Sequence, residues 1–224
     1  MALFIDKMTG DIINPPLYAK NKESFFEASF EVDTLVSPVI SMLIKKGYMT
    51  RACCSGHVSD TFVNNFNECI DDVNSEYGFE KIDMVNNPYI AFERGVEPYI
   101  KNLPHQWKWE MMYFYPSFYE YEHDSVANWK TSTFKTDDGV QIPIEVIAFE
   151  PRDKTKYPNF ADEEPIKNFV IRPNMEYFNS LNLDSAQYES HYVEDPYEYY
   201  TKIVEAFHQL YLWAKNLPEA KREE

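Results

Sequence analysis

The residues best suited to chemistry are grouped in one short segment, Cys53-Cys54-Ser55-Gly56-His57, which we call the turn segment. It combines thiols, a hydroxyl and an imidazole around a glycine, the residue that most easily adopts the backbone angles of a sharp turn. Successive backbone N–H groups in such a turn form a concave anion-binding site. Ligands of open α/β sheets bind beyond the carboxyl ends of strands. We therefore predict a ligand-binding site at Cys54, Ser55, Gly56 and His57.

Three chemical roles are compatible with the turn segment. Cys54 can act as a nucleophile if His57 takes up its proton. Either cysteine can bind a metal together with His57, but the other ligands would have to come from distant residues that lack metal-site spacing, namely His105, His123 or Cys69. The turn can also hold the phosphate or carboxylate of a small ligand. We predict this last role, and no metal site.

A purely structural role is the main alternative. Cysteine outside a disulfide is among the most buried residue types, and neighbouring strand residues such as Cys53 and Cys54 point to opposite faces of a sheet. In that case Ser55 and His57 only cap the turn. Arg94 directly follows another candidate strand and is a second candidate for contact with an anion.

The elements that position the turn segment are a helix and a strand on its N-terminal side. Ser37-Pro38 predicts a helix N-cap followed by a first-turn proline, and Gly47 predicts the helix C-terminus. Residues 48–54 then form the predicted strand. A short hairpin is predicted at residues 4–13. Further strands are predicted at residues 88–92, 107–115, 131–135, 140–149 and 168–172.

The last predicted element is a long C-terminal helix. Asp195 supplies an N-cap and Pro196 fits the first turn. Apolar residues then recur at three- and four-residue steps: Tyr199, Ile203, Phe207, Leu210, Ala214 and Leu217. We predict an α+β fold, a mixed sheet with flanking helices and this long C-terminal helix packed on the body. The predicted division is a mixed α/β domain at residues 1–194 and a C-terminal helix with its tail at residues 195–224.

The net charge and the cysteine content indicate which classes of partner and which cellular compartment are expected. The formal net charge is −16, which disfavours nucleic acid as a partner because affinity for it depends on neutralising phosphates. No apolar run approaches the ~20 residues that span a membrane, and the N-terminal residues do not form a signal peptide. The 3 cysteines do not suggest a disulfide framework. We expect a cytoplasmic protein without membrane contact.

The region around the turn segment resembles known families. Residues 33–58, with Lys46-Gly47-Tyr48, Thr50 and the turn segment, are similar to the N-terminal motif of the Tyw3 family of tRNA wybutosine-synthesis methyltransferases. That family has a similar helix, a Tyr-x-Thr strand and a Ser-Cys-Ser-Gly-Arg turn. The region also resembles uncharacterised bacterial and phage proteins with Cys-Cys-Ser-Gly-His, then a Tyr-Ile-x-Phe strand and a Leu-Pro segment, here residues 89–92 and 103–104.

The Tyw3 resemblance implies a tRNA substrate and S-adenosylmethionine. Cys54, Ser55 and Gly56 match the family's turn, whereas His57 replaces its arginine, and this replacement weakens phosphate recognition. An acidic chain is poorly matched to tRNA. We therefore carry over the local fold and not the reaction, and the cofactor stays unknown.

Two hypotheses of function follow. In the first, the protein binds a small anionic or nucleotide-related ligand at the turn segment, with catalysis left open. In the second, it is a phage or mobile-element protein that acts by binding a host protein through an acidic, aromatic surface. The tyrosine-rich residues 113–121 are the candidate interface.

Overall fold

A computed structural model describes residues 3–13, 28–56, 83–92, 103–136, 139–178 and 190–220. The strands in these ranges are β1 (Leu3–Asp6), β2 (Ile12–Ile13), β3 (Ser29–Val32), β4 (Thr50–Cys54), β5 (Asp83–Asn86), β6 (Tyr89–Phe92), β7 (Trp107–Phe114), β8 (Ser125–Lys135), β9 (Gln141–Pro151), β10 (Ile166–Pro173) and β11 (Ser190–Val193). The helices are α1 (Ser37–Lys45), α2 (Phe118–Tyr121), α3 (Met175–Phe178) and α4 (Pro196–Asn216).

The main sheet has six strands in the order β4-β6-β10-β7-β9-β8. β7 and β9 are parallel, and every other neighbouring pair in this sheet is antiparallel. β10 therefore lies between β6 and β7, although it follows both in the chain. Two smaller sheets have the orders β2-β1-β3 and β11-β5. This arrangement confirms the predicted α+β fold with a mixed sheet.

The main sheet carries apolar side chains on both faces because its central strands alternate between two clusters. Trp107, Trp109 and Met111 of β7 belong to the cluster that packs against α1 and α4. Met112, the next residue, belongs to a cluster on the other face. The first cluster continues into Ile5 and Val32 of the small N-terminal sheet, so the helices are enclosed by apolar contacts.

Helix α4 forms as predicted and packs on the body. Asp195 is its N-cap, and the carboxylate accepts hydrogen bonds from the backbone N–H groups of Tyr197 (2.9 Å) and Glu198 (3.1 Å). All members of the predicted stripe are buried, with Ile203 and Leu210 at 0% exposure. The indole N–H of Trp107 donates to the carbonyl of Ala206 at 2.9 Å, which joins β7 to this helix.

Helix α1 differs from the prediction by one residue at its start. The N-cap is Val36 and not Ser37, because the Ser37 hydroxyl donates to the carbonyl of Thr34 at 2.9 Å instead of capping the helix. At the other end Gly47 has φ 85°, and Tyr48 N–H donates back to Leu43 O at 2.9 Å. Tyr48 thus still caps the helix, and β4 begins only at Thr50.

The strand predictions are confirmed for the N-terminal hairpin and for β6, β7, β9 and β10. β8 is longer than predicted, since it begins at Ser125 instead of residue 131. β3, β5 and β11 were not predicted. They are short strands of four residues each, and their partners are distant in the sequence, so no local hairpin signal marks them.

Candidate functional site

Cys53 and Cys54 of the turn segment are the last residues of β4, and Ser55 and Gly56 follow the strand, as predicted. The donors of Ser55 already have a partner. The Ser55 backbone N–H and hydroxyl both donate to Asp33 Oδ2, at 2.9 and 3.1 Å. Gly56 has φ 73°, and its N–H lies 3.4 Å from Cys54 Sγ, which accepts a weak hydrogen bond. An external anion can reach the donors of Ser55 only by displacing the carboxylate of Asp33, which also repels it.

Cys53 has the properties of a structural thiol. It is partly buried against the main core and pairs with Ile90 of β6. Burial raises the pKa of the Cys53 thiol to about 12, and Asp33 and Cys54 add to the shift. The thiol is therefore protonated at neutral pH, and Cys53 is a poor nucleophile and a poor metal ligand. Neither Cys53 nor Cys54 forms a disulfide.

Strand pairing places Cys54 at the end of a row of functional side chains across the sheet. Cys54 lies opposite Tyr89, the Arg172 guanidinium lies 5.4 Å from the centre of the Tyr89 ring, and Arg172 lies opposite Lys108. We call these four residues the sheet row. Directly opposed residues on antiparallel strands share a face, so the row extends the turn segment along one face of the sheet.

Two members of the sheet row, Arg172 and Lys108, belong to a partly buried ion-pair network centred on Glu110. The Glu110 carboxylate lies 3.0 Å from Arg172 Nε and 3.0 Å from Lys108 Nζ, and Lys108 also contacts Glu145. Burial raises the pKa of Glu110 above its usual range, although the charges of Arg172 and Lys108 oppose the shift. Buried ion pairs contribute little net stability, and a perturbed carboxyl group of this kind marks a candidate site.

Several predicted site residues are placed elsewhere or lie outside the described residues. His57, Arg94 and Cys69 lie outside them, so the site predictions for these residues stay predictions. His105 and His123 are exposed. Within the described ranges, no group of three or more His, Cys, Asp or Glu side chains is arranged to hold a metal ion.

A cleft of about 610 Å³ lies between the segment before β7 and helix α4. We call it the cleft; its polar and aromatic lining consists of His105, Gln106, Glu205, Gln209, Trp213 and Asn216. The backbone of its first wall is held by Asn174, whose N–H donates to Gln106 O at 2.8 Å and whose amide donates to His105 O at 3.1 Å. The wall formed by His105 and Gln106 is therefore fixed to the residue that follows β10, and the other wall is formed by helix α4.

Two buried polar atoms in the walls of the cleft have no hydrogen-bond partner among the described residues. Gln106 is 3% exposed and Trp213 is 8% exposed. The acceptor Gln106 Oε1 and the donor Trp213 Nε1 are both unsatisfied. Such an atom costs roughly 1–3 kcal/mol of desolvation that no hydrogen bond offsets. Unsatisfied polar groups in a concave site are typical of ligand-binding sites.

Glu205 gives the cleft a negative charge. Its Oε2 accepts a long hydrogen bond from the Tyr177 hydroxyl at 3.4 Å. Burial raises the pKa of Tyr177, and the carboxylate of Glu205 adds to the shift. The Tyr177 ring contacts His105 edge-on, with 5.4 Å between ring centres. The sequence analysis did not predict this site. Glu205, Gln209 and Trp213 follow one another at four-residue steps, and this spacing places all three on one face of the helix.

The tyrosine-rich segment at residues 113–121 is largely packed on the protein itself. Phe118 contacts Phe114 edge-on at 5.4 Å, and Tyr121 is 1% exposed. Tyr119 is the exposed ring, at 79%. The segment thus offers one exposed tyrosine and not a continuous aromatic surface, and the hypothesis of a host-protein partner stays a prediction.

Comparisons with protein-family models, curated proteins and solved structures gave no match for this chain. The resemblance of residues 33–58 to the tRNA-modifying family therefore stays a prediction. Among the described residues, no helix is both long enough and apolar enough to cross a membrane.

Proposed function

We propose that this protein binds a small polar ligand and that the ligand binds in the cleft. The observation that carries this proposal is the pair of unsatisfied polar atoms in the cleft walls, Gln106 Oε1 and Trp213 Nε1. After a small side-chain adjustment, a ligand can donate to Gln106 Oε1, accept from Trp213 Nε1, or do both. Each hydrogen bond gained in this way contributes about 0.5–1.5 kcal/mol to the binding free energy. For comparison, a micromolar dissociation constant corresponds to a binding free energy of about −8 kcal/mol.

A thermal-shift screen of a polar metabolite library tests this proposal. A ligand that binds only the native state raises its melting temperature, and the shift should disappear in Gln106→Leu. Gln141→Leu is the matched control, because Gln141 is exposed on β9 and does not line the cleft. The proposal is rejected if ligands stabilise the wild type and both variants equally, or if no library member stabilises the wild type.

A second candidate is the anionic or nucleotide-related ligand that the sequence predicts at the turn segment. The observation that favours it is the sheet row, which places the cations Arg172 and Lys108, both paired with Glu110, on the same face as Cys54. Binding there requires Asp33 to release Ser55. Inorganic phosphate is the simplest probe: we expect Asp33→Asn to strengthen its binding and His57→Ala to weaken it. Equal binding by the wild type and both variants would rule out this candidate.

We also propose that the protein works in the cytoplasm without direct contact with nucleic acid. The support is the thiol form of Cys53 and Cys54 and the net charge of −16. In a gel-shift assay at physiological salt we expect no stable complex with duplex DNA or bulk tRNA. A tight complex that weakens steeply with added salt would favour the tRNA-modification hypothesis instead.

A further inference from the structure

The charges of the cleft indicate what kind of polar ligand it accepts. Its charged carboxylate is that of Glu205, and neither lysine nor arginine is among its described lining residues. Lys202, on the preceding turn of α4, is engaged by Glu198 at 2.8 Å. The charge of Lys202 also reaches Tyr177, the partner of Glu205. Among the described lining residues themselves, however, an anionic ligand would meet the carboxylate of Glu205 and be repelled by it.

The hydrogen-bonding groups of the cleft favour a ligand rich in donors. Gln106 Oε1 is a buried acceptor without a partner, although the same side chain hydrogen-bonds to Tyr177. The side-chain amides of Gln209 and Asn216 add both donors and acceptors nearby. The Tyr177 hydroxyl, which lies beside the cleft, already directs its hydrogen to Glu205. A primary ammonium group has three donors and no acceptor, so it can donate to Gln106 Oε1 and to the Glu205 carboxylate at the same time.

The indole of Trp213 adds an aromatic wall. Its ring is held edge-on to Trp109, with 6.1 Å between ring centres. Cations are attracted to the face of a tryptophan ring more strongly than to any other side-chain ring. The net charge of −16 also raises the local concentration of cations around the molecule. Carboxylate, amide oxygens and indole thus all favour the same sign of charge.

We propose that the ligand of the cleft is a small aliphatic amine that binds as an ammonium cation to Glu205 and Gln106, beside Trp213. This inference rests on the proposed ligand-binding function of the cleft and specifies the chemical class. The ammonium nitrogen pairs with the Glu205 carboxylate, and its remaining donors face the amide oxygens. The aliphatic part lies against Leu212 and the indole, both of which line the cleft.

Calorimetric titration with probes of equal chain length tests the chemical class. The probes are 1,4-diaminobutane, butane-1,4-diol and succinate, at about 0.15 M ionic strength so that long-range attraction is screened. We expect the diamine to bind at least about tenfold more tightly than the other two, a difference of about 1.4 kcal/mol. Equal or tighter binding of succinate or the diol would overturn the amine proposal.

Variants separate a specific site from general attraction of cations to an acidic protein. Glu205→Gln should weaken diamine binding at least about tenfold, whereas Glu164→Gln removes the same charge from an exposed position outside the cleft and should leave it unchanged. Equal losses in both variants would show that the attraction is nonspecific, and the amine proposal would be rejected.

The outcomes also distinguish failure of the amine class from failure of the cleft. If the diol or succinate binds tightly and Gln106→Leu abolishes that binding, the cleft is a ligand site and only the amine class is wrong. If no probe binds the wild type, the amine class is rejected. If, in addition, the ligands of the thermal-shift library stabilise Gln106→Leu and the wild type equally, the proposed function of the cleft is rejected as well.

Discussion

The turn segment and the cleft differ in where their polar groups find partners. At the turn, the N–H and the hydroxyl of Ser55 are both bound by Asp33 of the same chain. In the cleft, Gln106 Oε1 and Trp213 Nε1 are buried without partners. Reactive residue types are concentrated at the turn, whereas the cleft has buried polar atoms without partners, as do other places in the described residues, such as Trp109 Nε1 and Asn168 Oδ1. We therefore base the ligand proposal on unsatisfied hydrogen bonding in a concave site and not on the residue types of a motif.

Helix α4 links the two regions, and disrupting its packing should give the largest effect on stability. Phe207 is 2% exposed and contacts the Trp107 ring, with 4.9 Å between ring centres. Phe207→Ala should lower the free energy of unfolding by about 3–5 kcal/mol, measured by urea denaturation. Tyr197→Ala, on the same helix but 83% exposed, should change it by less than about 0.5 kcal/mol. Similar losses in both variants would show that α4 is not anchored through Phe207.

The Cys53 thiol should react slowly, which tests the structural character of the turn. Because burial raises its pKa to about 12, little thiolate exists near neutral pH. Alkylation of Cys53 by iodoacetamide at about pH 8 should be more than about tenfold slower in the folded protein than in urea, followed by peptide mass spectrometry. Thiol counting of the unfolded, unreduced protein should find all 3 cysteines of the chain. Equal alkylation rates would contradict the assigned burial.

Removing the internal acceptor of the turn should have an intermediate effect. Asp33→Ala removes the acceptor of both Ser55 hydrogen bonds and should cost about 1 kcal/mol in urea denaturation. In a Ser55→Ala background, the cost of Asp33→Ala should be smaller, because the hydroxyl bond is already missing. Identical costs in the two backgrounds would mean that the hydrogen bond from the Ser55 hydroxyl to Asp33 does not contribute to stability, and that the backbone N–H bond alone holds Asp33 at the turn.

Removing the unsatisfied acceptor of the cleft should have the smallest effect on stability. Gln106→Leu replaces a buried amide whose Oε1 has no partner by an apolar group of similar size. The substitution removes the hydrogen bond between the Gln106 side chain and Tyr177 but also the cost of the unsatisfied oxygen, so the free energy of unfolding should fall by only about 0.5 kcal/mol. Urea denaturation of the ligand-free protein provides the measurement. A loss above about 1.5 kcal/mol would show that Gln106 is satisfied within the protein, and the contrast between the two regions would disappear.

The parts of the fold that follow local rules could be predicted from the sequence. Helix α4 is one example, since Asp195, Pro196 and the apolar stripe are all local signals and all have the predicted roles. Strand order could not be predicted in this way. Nothing in residues 166–173 indicates that β10 inserts between β6 and β7, because side-chain alternation specifies a face and not a neighbour.

The candidate sites show the same limit. The residue types of the turn segment are visible in the sequence, but its partner Asp33 lies 22 residues upstream of Ser55 and belongs to the connection before α1. The cleft joins Gln106 to Trp213, which come together only when Trp107 bonds to the backbone of α4. Both features depend on long-range packing, which no local pattern reports.

The central place of β10 has a consequence for synthesis of the chain on the ribosome. Until residue 173 has emerged, β4 and β6 cannot be joined to β7, β9 and β8. The nascent chain then presents unpaired strand edges that carry Ile90 and Trp109, side chains that are buried in the finished sheet. Association between neighbouring nascent chains competes with folding during this interval. Expression at lower temperature, which weakens apolar association, should therefore raise the yield of folded protein.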